Sequence, residues 1–368
     1  MRWFLGLVLV VALVTGALYG IGRFLLPNSL EVTRDISVER PRASVFAMIN
    51  DLRIAREWSP YYARDPQAEF RFSGEPGEGQ SMRWSSGVRE IGEGRMSIVE
   101  SRENEEIEAI LEMASATFDT RIALRPSERA TSVAWSVSAE CAEGNINVPC
   151  RYMNLIMRGR IEQELDNGLT RLKTIAEQLP NVDFEGFDIV VATVEAQDVI
   201  FVDVTISAAV PDEPDEDARQ TVSAPTFEDR ETAERDGINA LNLFISSAGG
   251  QVTSTGQIVR VFPANNGAGG RYSFSVGYPY VGPAPLRLVG VRVGQTPGGA
   301  ALRAMFVGRR SQIPLMYQRL DAYLQAHRID RRPGAEAWEI VRQVEPPAPD
   351  SAYPNDPIEH TEIYFPIE

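Results

Sequence analysis

The first hydrophobic feature of the chain is an uninterrupted apolar run near its start. Residues 3–22 contain no charged side chain. A helix of that length spans roughly 30 Å, which is the thickness of a bilayer core. Trp3 and Tyr19 lie near the ends of the run, where interfacial aromatic residues are common. We therefore predict an uncleaved transmembrane anchor over residues 1–28; a cleaved secretory signal is the alternative.

Short alternating segments and one long helix follow between residues 30 and 180. Residues 30–38 alternate like a strand, and Pro41 begins a helix. Further short strand patterns are separated by Gly and Pro, at 69–72, 79–85, 95–100, 106–113, 117–125 and 132–138. Residues 151–178 carry apolar side chains at three- or four-residue spacing, which predicts a long amphipathic helix. This order of elements predicts a helix-grip layout.

The pattern of residues 185–368 repeats one plan of strands and helices. After strands at 189–196 and 199–206 and an acidic loop at 211–217, the predicted elements are a helix at 230–247, strands at 255–262, 272–276 and 286–293, a helix at 312–326, and strands at 334–342 and 361–365. We predict two βαββ units in tandem with a small-molecule cleft between them. Aligning residues 256–261 with 334–339 matches Val261 to Glu339, which predicts a cleft that is apolar on one side and anionic on the other.

Glu339 is a charged residue inside an apolar strand. Alternation places it on one face with Ala337 and Val341, and places Trp338 and Ile340 on the other face. A carboxylate in that position is either solvated on an open sheet face or set into an apolar pocket, where it meets a ligand. The pattern alone leaves both alternatives open.

Composition and charge narrow the classes of function. The 368 residues are 43% hydrophobic and 24% charged, as in a folded protein of two domains. A net charge of −15 argues against nucleic acid as a partner. His327 and His360 are the chain's two histidines, which nearly excludes multi-histidine metal sites and Ser-His-Asp catalysis. We expect neither a metal nor a cofactor.

The chain's two cysteines bear on its location. Cys141 and Cys150 bracket a turn-prone segment whose ends can meet, so we predict a disulfide; two reduced thiols are the alternative. Because positive residues flank both ends of the apolar run, they do not decide the orientation of the chain in the membrane. The predicted orientation therefore rests mainly on these cysteines. We predict a single-pass protein of the bacterial inner membrane with periplasmic soluble domains.

Residues 30–180 resemble the START-like polyketide-cyclase/dehydrase superfamily (SRPBCC). The matching segments are 36–38 with Pro41, 45–46, Asp51, 58–60, 149–157 and 168–173. The resemblance implies a deep apolar cavity between the sheet and the long helix that binds lipids or other hydrophobic molecules, with no shared catalytic set. The candidate cavity residues are Trp58, Trp84, Met153 and Met157, each of which also suits an ordinary core.

Residues 185–368 resemble the GyrI-like effector-binding domain, which is also found attached to AraC- and MerR-type regulators. The matching segments are 306–308, Leu320, Leu324, 333–334, 338–340 and the tail 358–366. The resemblance implies a pocket in which a strand glutamate meets cationic aromatic ligands, and Glu339 matches that glutamate. The aromatic candidates are Tyr317, Tyr323, Tyr364 and Trp338, although alternation turns Trp338 away from Glu339.

Together these patterns predict an α+β protein with an anchor (1–28), a START-like domain (30–180) and a GyrI-like domain (185–368). The predicted function is that of a membrane-tethered protein that binds small hydrophobic or cationic aromatic molecules for sensing, sequestration or transfer. The alternatives are a hydrolase that uses Glu339 as general base, and a non-catalytic envelope scaffold. The expected partners are the ligand and the membrane.

Overall fold

The computed structural model describes residues 2–60, 64–113, 116–142, 147–207, 226–248, 252–263, 271–283, 290–347, 351, 353 and 356–368. The predicted α+β class is confirmed, because two antiparallel sheets combine with six α-helices among these residues. The chain divides into two compact units, Met1–Glu185 with Gln325–Arg328 and Gly186–Leu324 with Ile329–Glu368. The predicted acidic loop at 211–217 lies outside the described residues.

Among its described residues, the first unit combines a seven-stranded antiparallel sheet with the four α-helices given below. The strands run in the order β1-β7-β6-β5-β4-β3-β2. Its elements are α1 (Arg2–Phe24), β1 (Ser29–Val38), α2 (Arg42–Asn50), α3 (Leu52–Trp58), β2 (Glu69–Ser73), β3 (Ser81–Ser85), β4 (Glu93–Arg102), β5 (Glu106–Met113), β6 (Ala116–Ser127), β7 (Ala130–Glu140) and α4 (Val148–Ala176).

Local sequence explains why these elements form where they do. In β7, residues of alternating burial put Val133, Trp135 and Val137 on the inner face. Asp51 caps α3 by accepting a hydrogen bond from the Arg53 amide, and Pro149 lies in the first turn of α4, where its missing N–H costs nothing. The long helix α4 packs mainly against β1 and also contacts α2, α3 and β7.

The apolar N-terminal helix differs from the other helices in its exposure. Residues Gly6–Phe24 form a helix that is long and apolar enough to cross a membrane, and its side chains are almost all exposed. A membrane anchor and a signal sequence both have these properties. A soluble core helix would bury such a surface, so exposure separates α1 from the core of the unit.

In the part of the second unit that the structure describes, a larger antiparallel sheet combines with two α-helices. Its main path runs β13-β9-β12-β11-β15-β16-β14-β8, and β10 pairs with β12. Its elements are β8 (Ile189–Val194), β9 (Asp198–Ser207), α5 (Phe227–Ser247), β10 (Thr253–Ser254), β11 (Ile258–Phe262), β12 (Arg271–Val281), β13 (Arg292–Gln295), β14 (Gly299–Arg309), a 3-10 turn (Arg310–Gln312), α6 (Ile313–Ala326), β15 (Ala337–Glu345) and β16 (Ile358–Pro366).

The two halves of this sheet have matching connectivity. In one half β9, α5, β11 and β12 occur in this order, with the two-residue strand β10 between α5 and β11; in the other half β14, α6, β15 and β16 occur in the same order. Within each half the last strand pairs with both of the others, and β11 pairs with β15 where the halves meet. Charged side chains of β11 and β15 therefore meet at the centre of the sheet.

The two faces of the second sheet carry separate core clusters. On one face, α6 packs on β14 and β16 through residues such as Met316, Leu320 and Ile363, and α5 packs near β9 and β12 through Leu241. The opposite face holds a cluster that includes Trp338. The charged residues described below lie on the face that carries the helices.

Strands β15 and β14 differ from the sequence prediction. The strand predicted from residue 334 begins at Ala337, because residues 333–334 form a turn in which Gly334 has a φ of +68°. The long strand β14 was not predicted as an element. Its alanine-rich sequence contains one β-branched residue, Val307, so it carries little of the signal that marks strands.

Candidate ligand-binding cavities

The first unit encloses an apolar cavity of about 250 Å³ between its sheet, α3 and the middle of α4. Strands β2 to β7 all contribute side chains to it. Its apolar lining is made mainly of Trp, Met, Phe and Leu residues: Trp58, Phe70, Met82, Trp84, Met96, Leu111, Met113, Phe118, Trp135, Val137, Met157, Ile161 and Leu165. A concave pocket with a mostly apolar lining is typical of small-molecule sites.

Three tryptophans in this cavity differ in how their N–H groups are satisfied. Trp58 Nε1 donates to the Met48 carbonyl at 3.0 Å, and Trp135 Nε1 donates to Thr120 Oγ1 at 2.8 Å. The Trp84 Nε1–H is buried and has no hydrogen-bond partner among the described residues. An unpaired buried donor is costly, so an acceptor oxygen on a ligand would stabilise it.

The position of Trp84 depends on a glycine in the neighbouring strand. Trp84 on β3 pairs with Gly94 on β4. A Cβ atom at Gly94 would lie 2.1 Å from Trp84 Cζ2, so the absence of a side chain lets the indole lie across β4. Gly94 therefore shapes this wall of the cavity through a close approach.

Three of the four residues predicted to line the cavity of the first unit do so. Trp58, Trp84 and Met157 line the cavity, whereas Met153, one turn before Met157 on α4, is 56% exposed and does not line it. The prediction for Met153 is wrong, because more than half of its side chain is exposed to solvent, whereas Met157 one turn later lines the cavity. Cys141 and Cys150 form a disulfide with Cα atoms 5.9 Å apart, which links the end of β7 to the first turn of α4.

The second unit contains a cavity of about 330 Å³ on the helix-bearing face of its sheet. The first turns of α5 and α6 form part of its wall. Aromatic and charged side chains predominate in the lining, which consists of Phe227, Arg230, Glu231, Glu234, Arg260, Phe262, Pro263, Tyr272, Phe274, Arg310, Ile313, Pro314, Tyr317, Arg331, Ala337 and Glu339.

A buried charged cluster forms the floor of the second cavity. We define this Arg260 cluster by its three carboxylates and two guanidiniums, Glu234, Glu339, Glu359, Arg260 and Arg310. The Arg260 guanidinium donates to all three carboxylates, with distances of 3.0 Å to Glu234 Oε2, 2.9 Å to Glu339 Oε2 and 2.8 Å to Glu359 Oε1. The cluster as a whole carries one excess negative charge when every member is ionised.

The remaining oxygen of Glu339 is also engaged. Tyr317 on α6 donates its hydroxyl hydrogen to Glu339 Oε1 at 2.9 Å. Arg310, in the turn before α6, pairs with Glu234 and lies 3.6 Å from Glu359 Oε1. These bonds connect α5, α6 and three central strands, so the cluster fixes the helices relative to the sheet.

Burial and mutual charge displace the pKa values of the Arg260 cluster. Burial raises the pKa of Glu339, although Arg260 and the Tyr317 hydrogen bond oppose that shift. Burial by itself would raise the pKa of Glu359, but Arg260 and Arg310 outweigh it and lower the pKa. Burial and the neighbouring Glu339 raise the pKa of Tyr317 well above its ordinary value. Burial opposes the charge of Arg260, yet its carboxylate neighbours raise its pKa well above the ordinary value.

The sheet register corrects the predicted match between Val261 and Glu339. Arg260 stands directly opposite Glu339 in the β11–β15 ladder, and Val261 stands opposite Trp338. Because neighbouring residues of a strand point to opposite faces, a shift of one residue moves a side chain to the other face. The cavity therefore has a guanidinium beside Glu339, and not an apolar side chain.

Of the four aromatic residues predicted to bind ligand in the second unit, one lines the cavity and three do not. Tyr317 lines the cavity. Trp338 and Tyr364 stack on each other on the opposite face, with ring centroids 4.8 Å apart and planes 4° apart, so neither forms a wall of the cavity. Tyr323 packs against the core cluster between α6 and the sheet. These three placements correct the predicted ligand-binding set.

Arg260 is the principal cavity residue that the sequence prediction missed. The signal available was its place in the run Ile258-Val259-Arg260-Val261, where one charged residue interrupts an apolar strand as Glu339 does. Glu234 and Glu359 gave no such signal. Within the described residues, no group of three or more His, Cys, Asp and Glu side chains is arranged to hold a metal ion.

No protein-family model matches the chain, and no curated protein matches it in sequence. Similar solved structures include a structural-genomics protein from Mesorhizobium loti (10% identity, TM-score 0.31, covering 40% of this chain and 97% of that one). Ara h 8.0201 has 11% identity and a TM-score of 0.32 and covers 41% of this chain and 99% of its own. A protein of unknown function from Staphylococcus aureus has 9% identity and a TM-score of 0.33 and covers 41% of this chain and 96% of its own.

Proposed function

We propose that this protein is a membrane-tethered binding protein for small hydrophobic molecules, held in the cavity of the first unit. The observation that carries the proposal is the apolar cavity of about 250 Å³ that contains Trp84 with an unpaired, buried N–H among the described residues. The ligand would combine an apolar body with an acceptor oxygen for Trp84. Binding of this kind suits sensing, sequestration or transfer.

The membrane tether in this proposal is α1. Its length and exposed apolar surface support a helix that stays in a bilayer. The Cys141–Cys150 disulfide, in a chain with two cysteines, supports an oxidising compartment such as the periplasm. We therefore propose that the two folded units lie on the periplasmic side of a bacterial inner membrane and that the first belongs to the START-like superfamily.

For the second unit, we propose a duplicated GyrI-like domain that binds a second small molecule. The support is the matching connectivity of the two half-sheets and the cavity of about 330 Å³ with its aromatic lining. A cationic aromatic ligand would have to compete with Arg260 and Tyr317 for the Glu339 carboxylate. A general-base role for Glu339 would likewise require one of these hydrogen bonds to break first.

Photolabelling tests the proposed binding in the first unit. The full-length chain, reconstituted in phospholipid vesicles, is irradiated with a diazirine-bearing fatty acid, and labelled peptides are identified by mass spectrometry. We expect label on peptides that contain Trp84 or Met157. Met157→Trp should remove most of this label, because the larger side chain fills space inside the cavity.

Met153→Trp is the matched control for this experiment. It makes the same substitution one helical turn earlier, at an exposed position outside the cavity. Label should persist in this variant. Equal loss in both variants, or label spread evenly over the surface of all three proteins, would contradict binding in the cavity.

A further inference from the structure

The apolar helix α1 is held against the start of α4 by direct contacts. Tyr152 donates its hydroxyl hydrogen to the Leu18 carbonyl at 2.7 Å, and Arg151 Nη1 donates to the carbonyls of Arg23 at 3.0 Å and Leu26 at 2.9 Å. A Cβ atom at Gly22 would lie 2.5 Å from Val148 Cγ1, so the glycine permits this close packing. The last turns of α1 and the first turns of α4 therefore pack side by side.

The connection from α1 to the folded unit is short and is held in place by hydrogen bonds. Residues 25–28 separate α1 from β1. Asn28 accepts a backbone hydrogen bond from Cys141 at 3.0 Å, and its side chain bonds to the Cys141 carbonyl and to Asn147. The disulfide joins Cys141 to Cys150 in the first turn of α4. With so little free chain, a membrane that holds α1 must lie next to the start of α4.

Exposed apolar side chains occur at that same place. Met153, Leu155 and Ile156 on α4 are 56%, 57% and 72% exposed. Large apolar side chains that cluster on a surface mark an interaction site. If α1 crosses a bilayer, these side chains lie at the level of its last turns, where they can enter the boundary between headgroups and acyl chains.

The charge of this segment favours an anionic lipid surface. Residues 147–161 contain three arginines, at 151, 158 and 160, and no acidic residue, in a chain whose net charge is −15. Arg158 and Arg160 are exposed. Basic side chains beside a membrane-spanning helix are attracted by anionic headgroups. The combination of exposed apolar and basic side chains is that of a helix that lies in a membrane interface.

We propose that the first half of α4, residues 148–160, docks on an anionic bilayer surface and admits a membrane-dissolved ligand to the cavity of the first unit. Met157, Arg160 and Ile161, which line that cavity, directly follow or overlap the exposed apolar residues. A hydrophobic molecule leaving the bilayer at this point would therefore meet the wall of the cavity first. This inference rests on the proposed membrane tether and on the proposed binding function.

Site-specific photocrosslinking tests the docking surface in the full-length chain, reconstituted in vesicles that contain anionic phospholipid. A benzophenone amino acid replaces Ile156 in one variant and Gln163 in a second. Gln163 is an exposed residue two turns further along the same helix. We expect the variant with benzophenone at position 156 to form phospholipid adducts, which mass spectrometry detects. The variant with benzophenone at position 163 should form none. Absence of adducts at 156, or equal adducts at both positions, would overturn the proposal.

Two companion measurements separate this inference from the proposed function. Alkaline extraction of the membranes reports whether α1 holds the chain in the bilayer, whatever α4 does. In the variant Leu155→Glu/Ile156→Glu, labelling of the cavity by a vesicle-borne fatty acid should fall, while labelling by a short, water-delivered fatty acid should persist. If both kinds of labelling persist, the docking surface does not admit the ligand; if the wild type shows neither kind, the binding function itself fails.

Discussion

Replacing Arg260 with methionine is expected to lower the free energy of unfolding of the second unit by about 3–5 kcal/mol. The guanidinium makes hydrogen bonds to Glu234, Glu339 and Glu359, and all four side chains are buried. Removing it leaves three carboxylates close together without their main positive partner. The cost comes from stranding these charges in a medium of low polarity, and chemical denaturation at neutral pH measures it.

The pH dependence of this loss identifies its cause. Without Arg260, burial raises the pKa values of Glu339 and Glu359 with mainly Arg310 and the Tyr317 hydrogen bond left to oppose it. These two carboxyls should therefore hold protons more tightly in the folded variant than in the folded wild type. The variant's deficit should therefore appear as the pH rises through the raised pKa values and shrink as the pH falls below them. In the wild-type protein we expect the opposite trend for Glu359, whose lowered pKa contributes stability that is lost as the pH falls through it.

Arg292→Met is the matched control for the Arg260 variant. Arg292 also pairs with a carboxylate, at 2.9 Å from Asp203 Oδ1, but its side chain is 44% exposed. Loss of such a surface pair costs about 0–1 kcal/mol. Equal effects of the two substitutions, or a deficit in Arg260→Met that does not change with pH, would contradict the buried cluster.

Trp338→Ala is expected to cost about 3–5 kcal/mol of unfolding free energy without a direct effect on ligand binding. The indole is almost completely buried and stacks on Tyr364, on the face of the sheet away from the cavity. Removing it leaves a large void in that core cluster. Chemical denaturation measures the loss of stability. Titration of the folded variant with a cationic aromatic compound, the ligand class discussed for the second unit, measures the affinity.

Trp338→Phe is the control that retains an aromatic ring at this position. The Trp338 Nε1–H has no hydrogen-bond partner among the described residues, so its removal leaves no acceptor unpaired. The phenylalanine variant should therefore be clearly more stable than the alanine variant. If folded Trp338→Ala and folded Trp338→Phe both lost ligand binding, Trp338 would instead belong to a binding site.

The sequence predicted the order of elements better than their partners across the sheets. Predicted strand 106–113 coincides with β5, and the predicted long helix at 151–178 overlaps most of α4, because burial of one face imposes clear periodicity on each. The strand β14 was missed because its alanines and glycines carry little strand propensity. Local pattern is informative where side chains are large and strongly apolar.

The second cavity shows why site prediction from the sequence was incomplete. Glu339 stood out because a charge inside an apolar strand demands an explanation, but its partner depends on the pairing of β11 with β15. A register error of one residue replaced Arg260 by Val261 in the predicted cleft. Glu234 and Glu359 come from a helix and a distant strand, so only the tertiary fold brings them to Arg260.

Native mass spectrometry of the purified full-length chain can detect a hydrophobic small molecule held in the cavity of the first unit. We predict that a hydrophobic molecule co-purifies with the wild type and with Met153→Trp and is released on unfolding. Met157→Trp, which fills part of the cavity, should lack it while keeping its secondary structure by circular dichroism. Wild-type protein that is free of bound molecules and also fails to take up added fatty acid would rule out binding in this cavity, as would equal occupancy in Met157→Trp.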